Sequence, residues 1–299
     1  MRGGAVPELF RAEEDGRAES LAKALAWSAE FIQGVIAEYQ PTHIVSMVSG
    51  GRDSALSDRL ARVLGVPLDL IIHGKTGCGI PATSRHVESY YGNLGTDLAI
   101  ADAGNAYERY VLRKGFFGIG KQAHNFAYHI LKADPFRATV SREIRRRQRS
   151  IRVMLINGAR AHESDNRRLN LKPTRLDKGN LWVNIAHEWT AGDRDLFLER
   201  EGVTINPVAI QLCRSGECMC GTQQSKIEFA EAAVLYPDWG AQMKALDAEA
   251  RRLHGFGWGE PMPHPVDPDQ LTMFDSFQPM CGGCNRRAGE ALQGERSAV

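Results

Sequence analysis

The stretch SMVSGGRDSALS, residues 46–57, decides how this chain is read. The β-branched run His43 to Val48 that leads into it predicts a short buried strand, and the residues from Ala55 to Leu64 resume apolar positions at helical spacing. Between them Ser49, Gly50, Gly51, Arg52, Asp53 and Ser54 form a polar glycine turn. A strand that delivers such a turn to the start of a helix builds an anion site. The glycines admit a ligand close to the backbone, and successive N–H groups converge with the helix N-terminus. Ser49 and Ser54 add hydroxyl donors. Asp53 is unusual beside a phosphate unless it orients the loop or holds Mg²⁺. An ordinary glycine turn with a Ser/Asp cap has the same composition, but its position directly after the first strand favours the anion site. The GxxxxGK[ST] spacing of a Walker loop is absent.

Working outward, Ala18 to Tyr39 reads as an amphipathic helix. Pro67 to His73, Asp97 to Ala101, Arg152 to Ile156 and Leu181 to Ile185 read as further strands. Helical stretches fall at Thr83 to Gly92, Ala106 to Arg113, Lys121 to Leu131 and Pro135 to Arg149, and another helix begins near Ala191 behind Trp189 and Thr190, which serve as packing and cap. Alternation of this kind predicts an α/β fold with a doubly wound, mostly parallel sheet. Near Pro207 the pattern gives way to cysteines, one long helix from Gln223 to Leu253 and a proline-rich stretch from Pro261 to Pro268. The expected organisation is an N-terminal helical segment (1–40), a nucleotide domain (41–207) and a small helical, cysteine-rich C-terminal subdomain (208–299).

A chain of 299 residues with a formal net charge of +1 has no global polyanion signal, so nucleic-acid contact requires a local patch. The run SREIRRRQRSIR, with Arg142, Arg145, Arg146, Arg147, Arg149 and Arg152, is one candidate, although a solvated helix face is the commoner meaning of such a run. No apolar run approaches the roughly 20 residues of a membrane span, and the first residues are charged where a signal peptide is apolar. A cytoplasmic protein without a membrane partner is expected. Disulfides are then disfavoured. Cys213, Cys218 and Cys220 (C-x4-C-x-C) and Cys281 and Cys284 (C-x2-C) are instead read as metal ligands. Cys213, Cys220, Cys281 and Cys284 are the first choice, with Cys218 able to replace either of the first two. A [4Fe–4S] cluster is preferred over Zn²⁺. Cys78 stands apart in TGCGIP, beside Lys75 and Arg85, either as a sulfur-carrying thiol or as a small buried residue.

Five segments in order resemble the phosphoadenylyl-sulfate reductase family of the PP-loop ATP pyrophosphatase superfamily. They are SGGRDS, HGKTGCGIPATSRHV (73–87), HNFAYHILK (124–132), NGARAHESDNRR (157–168), and IAHEWTAGDRDLFLEREGVTINP with its W-T-x-x-D and N-P elements. The resemblance implies ATP with Mg²⁺ in the loop Ser49–Ser54, cleaved to AMP and pyrophosphate. Thr76 and Gly77 would lie at the sheet edge, Lys132 and Gly158 would flank the phosphates, and Arg160 and Arg168, ordered by Glu163, would fork onto the transferred group. Asp53, Arg160, Arg168 and Cys78 are the candidate catalytic residues.

The chain departs from the assimilatory reductases in its tail, GERSAV, which lacks their terminal cysteine, and in HNFAYHILK, which holds no cysteine. It therefore looks most like the ATP pyrophosphatase component of bacterial DNA phosphorothioation systems. That likeness implies adenylation of a substrate phosphate, a cysteine desulfurase as sulfur donor, DNA as substrate, other modification-complex subunits as partners, and room for a homodimer. The alternatives are a phosphoadenylyl-sulfate reductase using another thiol, and a nucleotide-sensing iron–sulfur module without catalysis in a defence complex.

Overall fold

The computed structural model describes residues 8–144 and 151–263. The arginines at 145, 146, 147 and 149, the cysteines at 281 and 284, and the stretch beyond Pro263 lie outside the described residues. The described residues pack as two compact units, residues 8–104 with 131–144 and 151–218, and residues 105–130 with 219–263.

The first unit holds one six-stranded sheet. Its strands are β1 (His43–Val48), β2 (Leu70–Lys75), β3 (Leu98–Asp102), β4 (Val153–Asn157), β5 (Thr174–Asp177) and β6 (Asn180–Asn184), in the order β3-β2-β1-β4-β6-β5. All neighbouring pairs are parallel except β5 with β6. The doubly wound expectation is borne out. The strand β5 was not anticipated; it joins β6 through Lys178 and Gly179, both with positive φ (49° and 79°), as the tightest hairpins require.

Alternation along each strand sends successive side chains to opposite faces. Ile44, Met154 and Val183 pack on one side with α1 (Glu8–Tyr39), α2 (Arg52–Val63) and α8 (Ala191–Arg200). Val45, Leu155 and Ile72 pack on the other with Phe136 and Val140 of α6 (Asp134–Glu143). In α1 the buried stripe is Leu21, Ala24, Ser28 and Ile32. Ser28 donates to the Ile185 carbonyl (2.8 Å) and accepts from Trp189 Nε1 (2.8 Å), so the one polar residue of the stripe is satisfied. The helices α3 (Pro81–Tyr91), α7 (Asp165–Asn170) and α9 (Pro207–Gln211) complete this unit. Because β2 and β4 flank β1 on opposite sides, the chain reverses its winding direction at the carboxyl ends of β1 and β4, the place where such sheets open a crevice.

In the second unit α4 (Ala106–Lys114) and α5 (Lys121–Tyr128) accompany α10 (Lys226–Leu235) and α11 (Pro237–His254). One helix from Gln223 to Leu253 was expected; the structure has two. The break falls at Tyr236 (φ −129°, ψ 73°), because Pro237 bars the residue before it from helical torsions. A Cβ on Gly240 would meet Ala233 Cβ at 2.7 Å, so the two helices approach closely there. Glu260 fastens both, accepting from Lys226 Nζ (2.7 Å) and from Arg251 (2.9 Å). Those bonds, Arg251 first, hold the Glu260 carboxyl down to about 2. Its contribution is therefore present above the ordinary carboxylate range and lost as pH falls toward 2.

Candidate active site

The loop 49–54 is shaped from within and from outside. Ser54 Oγ donates to the Gly51 carbonyl (2.9 Å) and accepts from Ser49 N–H (3.1 Å), closing the turn on itself. Gly50 has φ +73°, and a Cβ there would strike Thr83 Cγ2 at 2.7 Å. Asn206, the N-cap of α9, donates through Nδ2 to the Gly50 carbonyl (3.0 Å) and lies 3.3 Å from the Ser215 carbonyl. Gly158, after β4, comes so near that a Cβ would collide with the carbonyl carbon and oxygen of Asp53. The loops after β1 and β4 thus meet backbone to backbone in the crevice.

Asp53 is bound by two guanidinium groups. Its Oδ1 accepts from Arg160 Nε (2.7 Å) and from Arg194 Nη1 (2.9 Å). Arg160 is buried, at 3% exposure, and also donates to the Trp189 carbonyl (3.2 Å). Arg194 owes its position to the start of α8. There Thr190 Oγ1 accepts from Asp193 N–H (3.1 Å) while Asp193 Oδ2 accepts from Thr190 N–H (3.0 Å), a capping box that sets the first turn. Arg194 also donates to both oxygens of Asp195 (2.8 and 3.0 Å), and Arg52 lies 3.5 Å from Asp195. Burial alone would raise the Asp195 carboxyl; the bonds from Arg194 and the nearness of Arg52 reverse this and hold it below its ordinary value. Burial raises Glu163, Asp53 adds to the rise, and Arg167 and Arg160 offset only part of it.

A cavity of about 340 Å³ opens over the loop. Its walls include the loop residues 49 and 51–54, with Arg194, Cys213, Arg214 and Ser215 opposite. Arginines rim this space over the backbone N–H groups that open α2, which suits a phosphate chain.

The other sequence candidates are distributed as follows. Thr76 is fully buried; its N–H and hydroxyl donate to Oε1 and to the carbonyl oxygen of Glu217 (2.8 and 2.5 Å). Gly77 packs against the Gly104 carbonyl with φ +76°. Cys78 is buried at 1% exposure, with its sulfur 3.3 Å from Thr76 Oγ1, and Lys75 is occupied with Asp102 (3.4 Å). Lys132 lies on the π-helical turn His129–Ala133. Arg168 is exposed and pairs with Asp165 (2.8 Å), and it does not line the cavity over the loop. Among the described residues no three His, Cys, Asp or Glu side chains converge as a metal site. Cys213 is exposed, with φ 55°, and Cys220 is buried with its sulfur 3.3 Å from Thr222 Oγ1. The described thiols therefore do not by themselves fit a cluster.

The sequence reading gave no role to Arg194, Asp195 or Glu217, and named Asn206 only as part of the N-P element. Glu217 matters structurally. Besides Thr76, its Oε2 faces His73 Nε2 at 3.3 Å, while His73 Nδ1 lies 3.0 Å from the Val48 carbonyl. Glu217→Ala would strand the Thr76 N–H and leave His73 Nε2 facing a void. A loss of about 2–3 kcal/mol in chemical unfolding is expected, since buried polar groups without partners cost that much. An unchanged midpoint would show that the 215–217 segment does not hold the end of β2.

A phosphoadenylyl-sulfate reductase from Candida auris in a phosphate complex aligns at 13% identity and TM-score 0.43, over 61% of this chain and 83% of that one. An NAD⁺ synthetase from Burkholderia pseudomallei aligns at 14% identity and TM-score 0.39, over 74% and 91%. No curated protein matches the sequence. Among the described residues no helix is long and apolar enough to cross a membrane. The phosphoadenosine phosphosulfate reductase domain matches residues 43–224, the stretch that carries the sheet, the glycine loop and the arginines around Asp53, and the chain belongs to that family.

Proposed function

We propose that this chain is an ATP pyrophosphatase that adenylates a substrate phosphate for sulfur insertion, with DNA phosphorothioate modification as its setting. The observation that carries the reading is the arginine-rimmed cavity over the loop 49–54, at the switch point of the sheet. The N–H groups and hydroxyls of the loop bind the β- and γ-phosphates. Arg194, Arg52 and Arg214 balance the charge that builds on the departing pyrophosphate. A phosphate oxygen of the substrate attacks the α-phosphorus, the bond to the β-phosphate oxygen breaks, and pyrophosphate leaves. A sulfur nucleophile at the oxidation level of sulfide then displaces AMP, exchanging a P–O bond for a P–S bond. In the cell a cysteine desulfurase supplies that sulfur as a persulfide, a thiol reductant cleaves its S–S bond to bring the sulfur to the sulfide level and leaves as a disulfide, and other modification subunits accompany the chain. Asp53 is the carboxylate lining the cavity, and through the oxygen that Arg160 and Arg194 do not engage it would hold Mg²⁺, which would neutralise the phosphates.

The test is pyrophosphate release from ATP with DNA and sodium sulfide present, alongside iron and sulfide analysis of protein purified without oxygen. Pyrophosphate release with sulfur retained in the DNA backbone supports the reading. ATP binding without pyrophosphate release assigns a sensing module instead. The family match also favours a second reading, reduction of a sulfonucleotide, and sulfite release from phosphoadenylyl sulfate would establish it. About four irons per chain would assign the cysteines to a cluster, and one zinc would make them structural.

A further inference from the structure

The unit built from residues 105–130 and 219–263 presents a face that the reaction above does not use. In α4 and the loop after it, Tyr107, Val111, Phe116 and Phe117 are buried, as an aromatic core requires. The rings beside them are not. Tyr110 is half-buried and stacks on Phe117 with centroids 4.3 Å apart and planes 7° from parallel. Phe126 of α5 meets both edge-on, at 5.6 and 6.0 Å, and is 49% exposed. Tyr128 and Ile119 are exposed as well. A cluster of ordered rings left open to water marks an interaction surface more often than scattered single residues do.

The charges around it give its partner a sign. Arg109, Arg113 and Lys114 project from α4, and Lys121 opens α5; all four are exposed, and none is paired with a carboxylate among the described residues. The only carboxylate in the two helices is Glu108. Arg113 is close enough to Tyr110 to act electrostatically on its hydroxyl, which burial raises above its usual value. Arg109 and Arg113 stand one helical turn apart on the same face. Cations without acidic partners, set beside partly exposed rings, match a strand whose phosphates are spaced along a backbone and whose bases are unstacked. A duplex conceals its base faces and would use only the cations.

We propose that this face binds single-stranded nucleic acid, with bases stacking on Phe126 and Tyr110 and phosphates lying along Arg109, Arg113, Lys114 and Lys121. The binding depends on no step of the proposed reaction and is measured without ATP. Full-length protein is titrated into fluorescent oligo-dT of roughly 20 nucleotides at about 50 and 200 mM salt, with oligo-U and duplex DNA in parallel. Phe126→Ala is expected to weaken oligo-dT binding about 5- to 50-fold. The double variant Arg113→Ala/Lys114→Ala is expected to flatten the salt dependence by about 1.4 log units per log unit of salt. Lys23→Ala, on the exposed side of α1, serves as the charge control and is expected to change nothing. Equal binding of oligo-U would extend the site to RNA, and weaker binding would restrict it to DNA. Absence of wild-type binding, preference for duplex, or wild-type behaviour in both variants would overturn the proposal. So would a Phe126→Ala protein that binds normally but melts or self-associates differently, since the face would then belong to a protein contact, residues 264–299 included. Loss of pyrophosphate release with oligo-dT binding intact would remove the reaction and leave this surface standing.

Discussion

Gly158→Ala is expected to lower pyrophosphate release by at least about 100-fold while the protein remains folded. The cause is a collision between backbones. A Cβ at this position would meet the carbonyl group of Asp53, and Ser54 N at 2.9 Å. None of these atoms belongs to a flexible side chain that could turn away, so the loop itself must shift. The N–H donors of the loop act only if they point at the phosphate oxygens, and a displacement of about 1 Å is enough for a loss of that order. ATP affinity and pyrophosphate release measured together check this. Wild-type values for both would show that the loop 49–54 is not the nucleotide cradle.

The second large effect separates the two arginines on Asp53. Asp53→Ala removes the closest carboxylate partner of Arg160, which at 3% exposure retains the Trp189 carbonyl and the nearby Glu163 carboxylate. A buried charge stripped of its partner typically costs 3–5 kcal/mol; Asp53 is partly exposed, so about 2 kcal/mol is expected, together with loss of activity. Arg194→Ala leaves the Asp53–Arg160 pair intact and removes a cation from the cavity wall. It is expected to keep the melting temperature within a few degrees and to weaken inorganic pyrophosphate binding about 10- to 100-fold. Calorimetry on both variants checks the contrast. If Arg194→Ala bound pyrophosphate normally, Arg194 would be only a brace for Asp53.

The parts of this site legible in the sequence are those set by local chemistry. SGGRDS follows a β-branched run and precedes a helical one, and the structure has that strand and helix on either side of it. Thr190 was read as a cap because Thr–x–x–Asp is a short-range signal, and it caps α8. Arg194 stands four residues later in the same quoted stretch, yet its bond to Asp53 spans 141 residues, and nothing in a single sequence links the two. Glu217 was hidden in the same way, behind the cysteines on either side of it. Its value lies in a bond to Thr76 across 141 positions. The single long helix from Gln223 was misread because apolar spacing outweighed the Tyr236–Pro237 step, where the torsions before a proline decide the outcome.

The bond from Asn206 to Gly50 has a consequence for biosynthesis. A ribosome makes the glycine loop early, but the side chain that fastens it lies 156 residues later. The segment from Ser215 to Glu217 that braces Thr83 and Thr76 follows later still. Until those residues clear the exit tunnel, the growing chain holds its strand and helix without the geometry to grip a nucleotide. Nucleotide capture should therefore appear abruptly near the end of translation of the first unit, and fragments released before residue 206 should bind none.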